Sequence, residues 1–589
     1  MPPLPQTEPR SVAAESVAHR QARLGLSALA IVALAAALFF PRLGTRALWS
    51  SEGRWAEIAR EMRLSSNYFW PTINGKLYYD KPLLSYWLVL GAAHFTGGVT
   101  EAAARLPSAI AGLLGVALAI ILAQRFYDRR TALLAGFILA TSYSFVFFSR
   151  HASADVETVT GELAALILFL RFRERGDGWL IISAWLVMAI TSLTKGLLGF
   201  VLPLLVIGSY ASLAEGWKEL WRRLAGRDRF IAWLIEQNRW LFNWSSIPAV
   251  AIAAVVYYLP FAISHSRMHS SAGITMVFRE NVQRFFQPFD HRGPVYLYFG
   301  AIFALMAPWC VFLPAALVKA HAKHDAHNKN DRFALIFFWA TFVFFTLSGS
   351  RRSYYLLPIL PAAAMLVARL LAETRGATPN LARRLTNIGY TVLIAAAVFG
   401  ALILLPPGAR PAALRSYPSA PAPIAFALFW LLAIAGVAYT LRDFRPFTMA
   451  LSTALIAYLA SFYVFVFAMP GVERYRSEQP FARTVRIRLN NDLTGLAMYR
   501  IWGPGLVFYL SSARPIPEFD QAKALEDFAR QNQIHWVIVR ERDLASLPAA
   551  GPVVATETIF PWELNSRTRA KYLLVKITPQ AIPNNDSRH

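Results

Sequence analysis

Thirteen apolar runs, most of them about as long as a membrane helix, dominate this 589-residue chain. A spanning helix needs about 20 apolar residues, with a range of roughly 17–25. The first run covers 24–40, after Arg10, Arg20 and Arg23, and ends at Pro41. It is longer than the core of a cleavable signal, so it reads as an uncleaved first span with the N-terminus inside. Later runs centre near 106–124, 132–149, 157–172, 178–193, 196–213, 246–264, 295–318, 332–348, 353–371, 386–405, 422–441 and 446–468. Basic residues mark every second loop: Arg125 to Arg130, Arg171 to Arg175, Lys218 to Arg229, Lys319 to Arg332, Arg375 to Arg384, and Arg442 with Arg445. That alternation is the positive-inside pattern. The run Leu83 to Phe95 breaks it, being short and lacking a basic flank on its far side. It reads as an interfacial or partly embedded outer helix. About thirteen spans, an odd number, put the C-terminus outside.

Composition agrees. Hydrophobic residues make up 56% of the chain and charged ones 16%, against roughly 45–50% and 25% in soluble domains. A soluble enzyme and a disordered chain are excluded. A net charge of +24 would suggest nucleic acid in a soluble protein; here it fits basic inner loops and anionic lipid or phosphate, with no nucleic acid partner. Cys310 is the single cysteine, so the chain holds no internal disulfide and no CxxC zinc site. Transporter, channel and membrane-embedded enzyme remain.

The chain divides into a cytoplasmic segment 1–23, a membrane region 24–469 with an outer loop at 42–105, and a region 470–589 of turns, short strand-like runs and one amphipathic helix near Gln521–Gln531. This last part reads as a small α/β domain outside the membrane. The fold class is thus an α-helical integral membrane protein with a small C-terminal α/β domain.

Charged side chains beside spans are costly and point to function. They collect on the outer side: Glu52, Arg54, Glu57, Asp80 and Lys81 after the first span, His151 and Asp155 later, then Lys195, His265, Glu280, Arg284, His291, Arg351 and Arg352. Span centres are almost purely aliphatic and aromatic, whereas a transport path needs polar groups at mid-depth. An outer-face site is the better reading. Glu52 opens an amphipathic helix for which Ser50 or Ser51 is a candidate N-cap, and a carboxylate there also suits the helix dipole.

Several segments resemble a known family. Ser51-Glu52-Gly53-Arg54-Trp55-Ala56-Glu57-Ile58-Ala59-Arg60-Glu61-Met62 is similar to its D-E-x-R-Y-A-E-I-x-R-E-M motif. Asn74 to Leu83 resembles N-G-x-x-Y-x-[DE]-K-P-P, Ala103 to Ser108 resembles A-A-R-L-P-S, and Thr194-Lys195-Gly196 resembles T-K-G. Ala154-Asp155, Glu280 to Phe285, His291 to Pro294 and Arg352 to Pro358 also fit. These are motifs of bacterial GT-C glycosyltransferases related to dolichyl-phosphate-mannose protein mannosyltransferases and lipid A aminoarabinose transferase. The resemblance implies a transferase of the bacterial inner membrane that takes a hexosyl or pentosyl unit from a polyprenyl-phosphate sugar. The acceptor would be periplasmic: lipid A, another glycan or, less favoured, a protein. No nucleotide cofactor is expected.

By the same resemblance, Arg54, Lys81, Lys195, Arg284 and Tyr354 bind substrate, and Glu52 and Asp155 are the catalytic acids. Asp80, with His265 or His291, would hold a divalent metal such as zinc or magnesium. The chain departs from the family at Ser51, where an Asp is usual. A serine hydroxyl is not ionised near neutral pH and cannot replace a carboxylate base. Either Glu52 or Asp155 takes that role, or Ser51 positions substrate with less help, or the chain binds or translocates the lipid-linked sugar without transferring it.

Overall fold

The computed structural model describes residues 10–213, 235, 244–322, 328–373, 380–404, 446–470, 476–532, 534–547, 550–559 and 570–577. The apolar run 422–441 lies outside the described residues. Helix α1 (Arg10–Phe39) leads to α2 (Glu52–Ser65), the hairpin β1 (Thr72–Ile73) and β2 (Lys76–Leu77), α3 (Leu84–Phe95) and α4 (Glu101–Gln124). Then come α5 (Arg129–Thr141), α6 (Tyr143–Ser149), α7 (Asp155–Arg175), α8 (Gly178–Lys195) and α9 (Leu198–Ser212). Among the described residues five helices are long and apolar enough to cross a bilayer: α4, α8, Ser246–Met268, Asn330–Leu347 and Ser353–Ala372. Two bent pairs raise that number to seven if each is one span. The chain is a multi-pass membrane protein.

Both bends fall within runs that read as continuous spans. Between α5 and α6 the axis turns by 64°. There Thr141 and Ser142 hydroxyls bond the carbonyls of Phe137 and Ile138 at 2.8 and 2.7 Å, a known way to bend a helix. Between Leu297–Met306 and Trp309–Ala320 the axis turns by 119°, at Pro308, which has no N–H to continue the ladder. The two breaks satisfy each other. Tyr143 N–H donates to the Ala307 carbonyl at 2.8 Å, and Trp309 Nε1 donates to Thr141 Oγ1 at 2.9 Å. Polar groups freed within a membrane must find protein partners.

Beyond the helices, β3 (Leu496–Tyr499), β4 (Glu518–Phe519), β5 (Trp536–Arg540), β6 (Ala550–Ile559) and β7 (Ala570–Ile577) form one sheet in the order β4-β3-β5-β7-β6. β3 runs parallel to β4 and β5, while β7 is antiparallel to β5 and β6. Side chains alternate as a strand requires. Leu496, Met498, Ile538 and Leu574 face helix Gln479–Arg488 and helix Pro504–Leu510. Ala497, Tyr499, Val537, Val539 and Leu573 face helix Ala522–Asn532.

This sheet unit is clamped onto the loop 42–105. Leu48 N–H donates to the Tyr509 hydroxyl at 2.6 Å, Ser477 Oγ donates to Leu48 O at 2.7 Å, and Asn74 exchanges two 2.7 Å bonds with Ile516. Gly53 and Gly505 meet so closely that a Cβ on Gly53 would lie 2.5 Å from Gly505 Cα.

Candidate active site

A cavity of about 840 Å³ opens between α2, the start of α7, the end of α8, the segment 279–291 and the sheet unit. Its lining has two characters. Arg54, Lys81, Lys195, Arg284 and Arg352 supply positive charge. Leu198, Val201, Phe285, Phe286, Phe344 and Phe345 supply an apolar wall. A concave site with an apolar wall and convergent polar groups is the ordinary form of a ligand pocket.

Local structure explains how each charge arrives. Arg54 is in the first turn of α2 and pairs with Asp80 at 2.8 Å, while donating to the Tyr78 hydroxyl at 3.2 Å. Lys81 follows Asp80 and reaches Glu280 at 3.4 Å. Burial pushes the Lys81 ammonium down, against the pull of Asp80 and Glu280. Glu280 also pairs with Arg284 at 2.6 Å, across a stretch of π-helix, Phe278–Gln283, a distortion frequent at functional sites. Arg284 continues to Asp290 at 2.7 Å, Asp290 to His291 at 3.2 Å, and Arg352 to His291 at 3.0 Å. On the other side Asp155, first residue of α7, is ion-paired to Lys195, last residue of α8. Lys195 Nζ lies 5.7 Å from the ring centres of Tyr354 and Tyr355, a cation–π arrangement.

The sequence-predicted residues therefore separate. Arg54, Lys81, Lys195, Arg284, Tyr354 and Asp155 all line the cavity, although they come from five regions of the chain. Glu52 does not. Its side chain is wholly buried, and Arg105 grips both carboxylate oxygens at 2.7 Å through Nε and Nη2. Arg46 lies at 3.4 Å, His151 at 3.3 Å, and Ala152 N–H donates at 3.0 Å. Burial alone would raise its carboxyl, but Arg105, His151 and Arg46 outweigh that and hold it well below the usual carboxylate range. A carboxylate so enclosed reaches no substrate in the cavity. Glu52, expected from the sequence to be catalytic, is held in this enclosed cluster and not in the cavity lining.

The N-cap expectation changes too. Ser51 has helical backbone angles and makes no side-chain capping bond; the carboxylate of Glu52 accepts from Trp49 N–H at 3.4 Å instead. Both Ser50 and Ser51 line the cavity.

The metal set is not assembled. Asp80 is engaged by Arg54 and by the Tyr86 hydroxyl at 3.3 Å. His265 lies outside the cavity lining and has a ring nitrogen 3.1 Å from Ser270 O. His291 sits between Asp290 and Arg352. Among the described residues no group of three or more His, Cys, Asp or Glu could hold a metal ion. Zinc, which takes three or four protein ligands, finds no such set among these residues.

Two arginines carry structure that the motifs did not announce. Arg105, inside A-A-R-L-P-S, also donates to Leu43, Arg46 and Ala47 carbonyls at 2.6–2.9 Å. Arg150 donates to the carbonyls of Leu38, Phe39 and Pro41 at 2.8–2.9 Å, closing the C-terminal end of α1. Their hydrophobic surroundings were the available signal. A third missed residue is Glu478, which lines the cavity from the sheet unit.

The chain has a clear likeness among solved structures. ArnT from Cupriavidus metallidurans, crystallised bound to undecaprenyl phosphate, superposes with a TM-score of 0.68 over 94% of this chain and 98% of that one, at 20% identity. This is the GT-C membrane fold. Residues 80–226 match the family of dolichyl-phosphate-mannose-protein mannosyltransferases. The undecaprenyl phosphate-alpha-4-amino-4-deoxy-L-arabinose arabinosyl transferase of Pseudomonas paraeruginosa is 28% identical over 369 residues, 60% of this chain and 62% of that protein. Its counterpart in Erwinia tasmaniensis is 26% identical over 375 residues, 62% of this chain and 63% of that protein. The chain thus spans less than two thirds of these relatives' length. The resemblance carried by the sequence motifs holds, and the cavity belongs to a chain with a GT-C fold.

Proposed function

We propose that this chain is a polyprenyl-phosphate-dependent glycosyltransferase of the bacterial inner membrane, moving a pentosyl or hexosyl unit to lipid A or another periplasmic glycan. One observation carries the reading: a single cavity sets a cluster of cations beside an apolar wall. A lipid phosphate needs both. Lys81, Lys195 and Arg284 would hold the phosphate, Lys as a compact charge and Arg as a planar fork. Phe285, Phe286, Phe344 and Phe345 would receive the start of the polyprenyl tail. Tyr354 would face the sugar beside Lys195, and Asp155 would hold Lys195 in the wall.

In this reading about thirteen spans place the N-terminal segment 1–23 inside and the cavity and region 470–589 outside. The donor is then a lipid-linked sugar, because nucleotide sugars do not reach that side. The relatives named for undecaprenyl phosphate-linked aminoarabinose support a pentosyl unit. Charge developing on the departing phosphate is stabilised by cations already in place, which is how preorganised groups accelerate group transfer.

The test is transfer itself. Purified protein in detergent is given radiolabelled polyprenyl-phosphate sugar and envelope extract. Label should move to a glycan acceptor, and Lys81→Ala should lower both donor binding and transfer. A second reading follows from Ser51, which brings no carboxylate to the wall: donor binding without transfer, under every acceptor tried, favours a binder or translocator.

A further inference from the structure

If the chain is the transferase proposed above and its acceptor is a hydroxyl, that hydroxyl must lose its proton, and Ser51 cannot take it. The cavity lining contains five carboxylates among the described residues: Asp80, Asp155, Glu280, Asp290 and Glu478. Four are ion-paired, to Arg54, Lys195, Lys81 with Arg284, and Arg284 in turn. The paired cation favours the charged form of each and so weakens it as a base. Glu478 forms no ion pair with the described residues. Arg540 acts on it at longer range, and its own backbone N–H bonds the carboxylate.

Glu478 also stands at the right wall. The preceding residue, Ser477, is tied to Leu48, three positions before Ser51. A Cβ added to Gly505 would lie 2.7 Å from Glu478 Oε2, and Gly505 itself lies against Gly53, two positions after Ser51. The sheet unit thus brings a carboxylate to the stretch of α2 where the resembling family carries its own.

We propose that Glu478 is the general base of this enzyme, replacing the missing acid at Ser51, and that the acceptor presents a neutral hydroxyl. Glu478 takes the hydroxyl proton. The freed oxygen bonds to the anomeric carbon. The bond from that carbon to the donor phosphate oxygen breaks, and its electron pair leaves with polyprenyl phosphate. An anionic acceptor group would be repelled by Glu478; a hydroxyl is drawn to it. Burial, against the weaker effects of its backbone bond and Arg540, pushes the Glu478 carboxyl up to about 7, close to the optimum for a base working near neutral pH. Arg540 and Tyr572 are the other titratable groups coupled to it.

The experiment compares wild type, Glu478→Gln, Glu478→Asp and the double variant Ser51→Asp/Glu478→Gln in the labelled-donor assay, with donor binding and thermal unfolding measured alongside. Glu478→Gln should lower kcat roughly 10²–10⁴-fold with donor affinity and unfolding temperature unchanged. Wild-type kcat/KM should rise with pH through about 7, and Glu478→Gln should lose that rise. Glu478→Asp should keep part of the activity, and Ser51→Asp should restore turnover to Glu478→Gln. Wild-type kinetics in Glu478→Gln overturn the assignment, as does a raised KM at constant kcat, which makes Glu478 a substrate holder. Wild type that transfers no sugar removes the transferase reading and the base with it; active wild type with an indifferent Glu478→Gln removes the base alone.

Discussion

Glu52 and Lys81 lie in the same outer loop, and their surroundings have opposite character. Glu52 is enclosed by Arg105, Arg46, His151 and the Ala152 N–H, with no face toward the cavity. Lys81 stands in the cavity wall with Asp80 and Glu280 at 3.7 and 3.4 Å, in a chain of pairs that runs on through Arg284. The first arrangement fixes the loop to α4; the second leaves cations that can exchange one anion for another. A charged residue in this loop is therefore not by itself a functional one. Whether its partners enclose it decides the matter.

The largest expected effect sharpens this contrast. Glu52→Gln leaves the Arg105 guanidinium buried without its anion, and breaking a buried pair on one side costs about 3–5 kcal/mol. Thermal unfolding in detergent should show a large loss, with any loss of transfer following the loss of fold. A stable Glu52→Gln protein that is inactive would return Glu52 to the catalytic list.

Acid should attack the same cluster. Burial, only partly opposed by Glu52, lowers His151 from 6.5 to about 4. A folded-state value below the unfolded one means the unfolded chain takes up the proton first. The stability held by neutral His151 is full above 6.5 and is lost as pH falls toward 4, about 3 kcal/mol in all at roughly 1.4 kcal/mol per unit. Glu52, held low, adds to the loss at still lower pH. Unfolding temperature followed from pH 7 down should fall through this window, and His151→Gln should flatten it.

Much of this was legible from the chain. The apolar runs and basic loops showed a multi-pass protein, and the motifs named Arg54, Lys81, Asp155, Lys195, Arg284 and Tyr354, which the fold brings to one cavity. Enclosure was not legible. Arg105 lies 53 positions from Glu52, and no local spacing shows that two such residues neutralise each other. The bends at Ser142 and Pro308 were hidden because the apolar pattern continues through them. Glu478 sits outside every motif, and its place depends on how the sheet unit docks on Gly53.

The cavity side of the comparison predicts a smaller effect of a different kind. Lys81→Ala should weaken donor binding by roughly 1.5–3 kcal/mol, the usual contribution of a hydrogen bond to a charged group, while unfolding temperature hardly moves. Titration with undecaprenyl phosphate by microscale thermophoresis checks it; equal affinity in the variant would place the phosphate elsewhere. Smallest of all is Arg125→Ala. Its pair with Glu174 is exposed on the glutamate side, and such pairs contribute about 0–1 kcal/mol. Neither unfolding nor donor binding should change beyond that range.

The central claim is that the cavity beside α2 holds the lipid phosphate. A cryo-electron microscopy map of the full chain with undecaprenyl phosphate tests it directly. Phosphate density within hydrogen-bonding distance of Lys81, Lys195 or Arg284, with the tail leaving along Phe285 and Phe344, is the predicted result. A lipid bound at another face, with this cavity unchanged, would contradict the account.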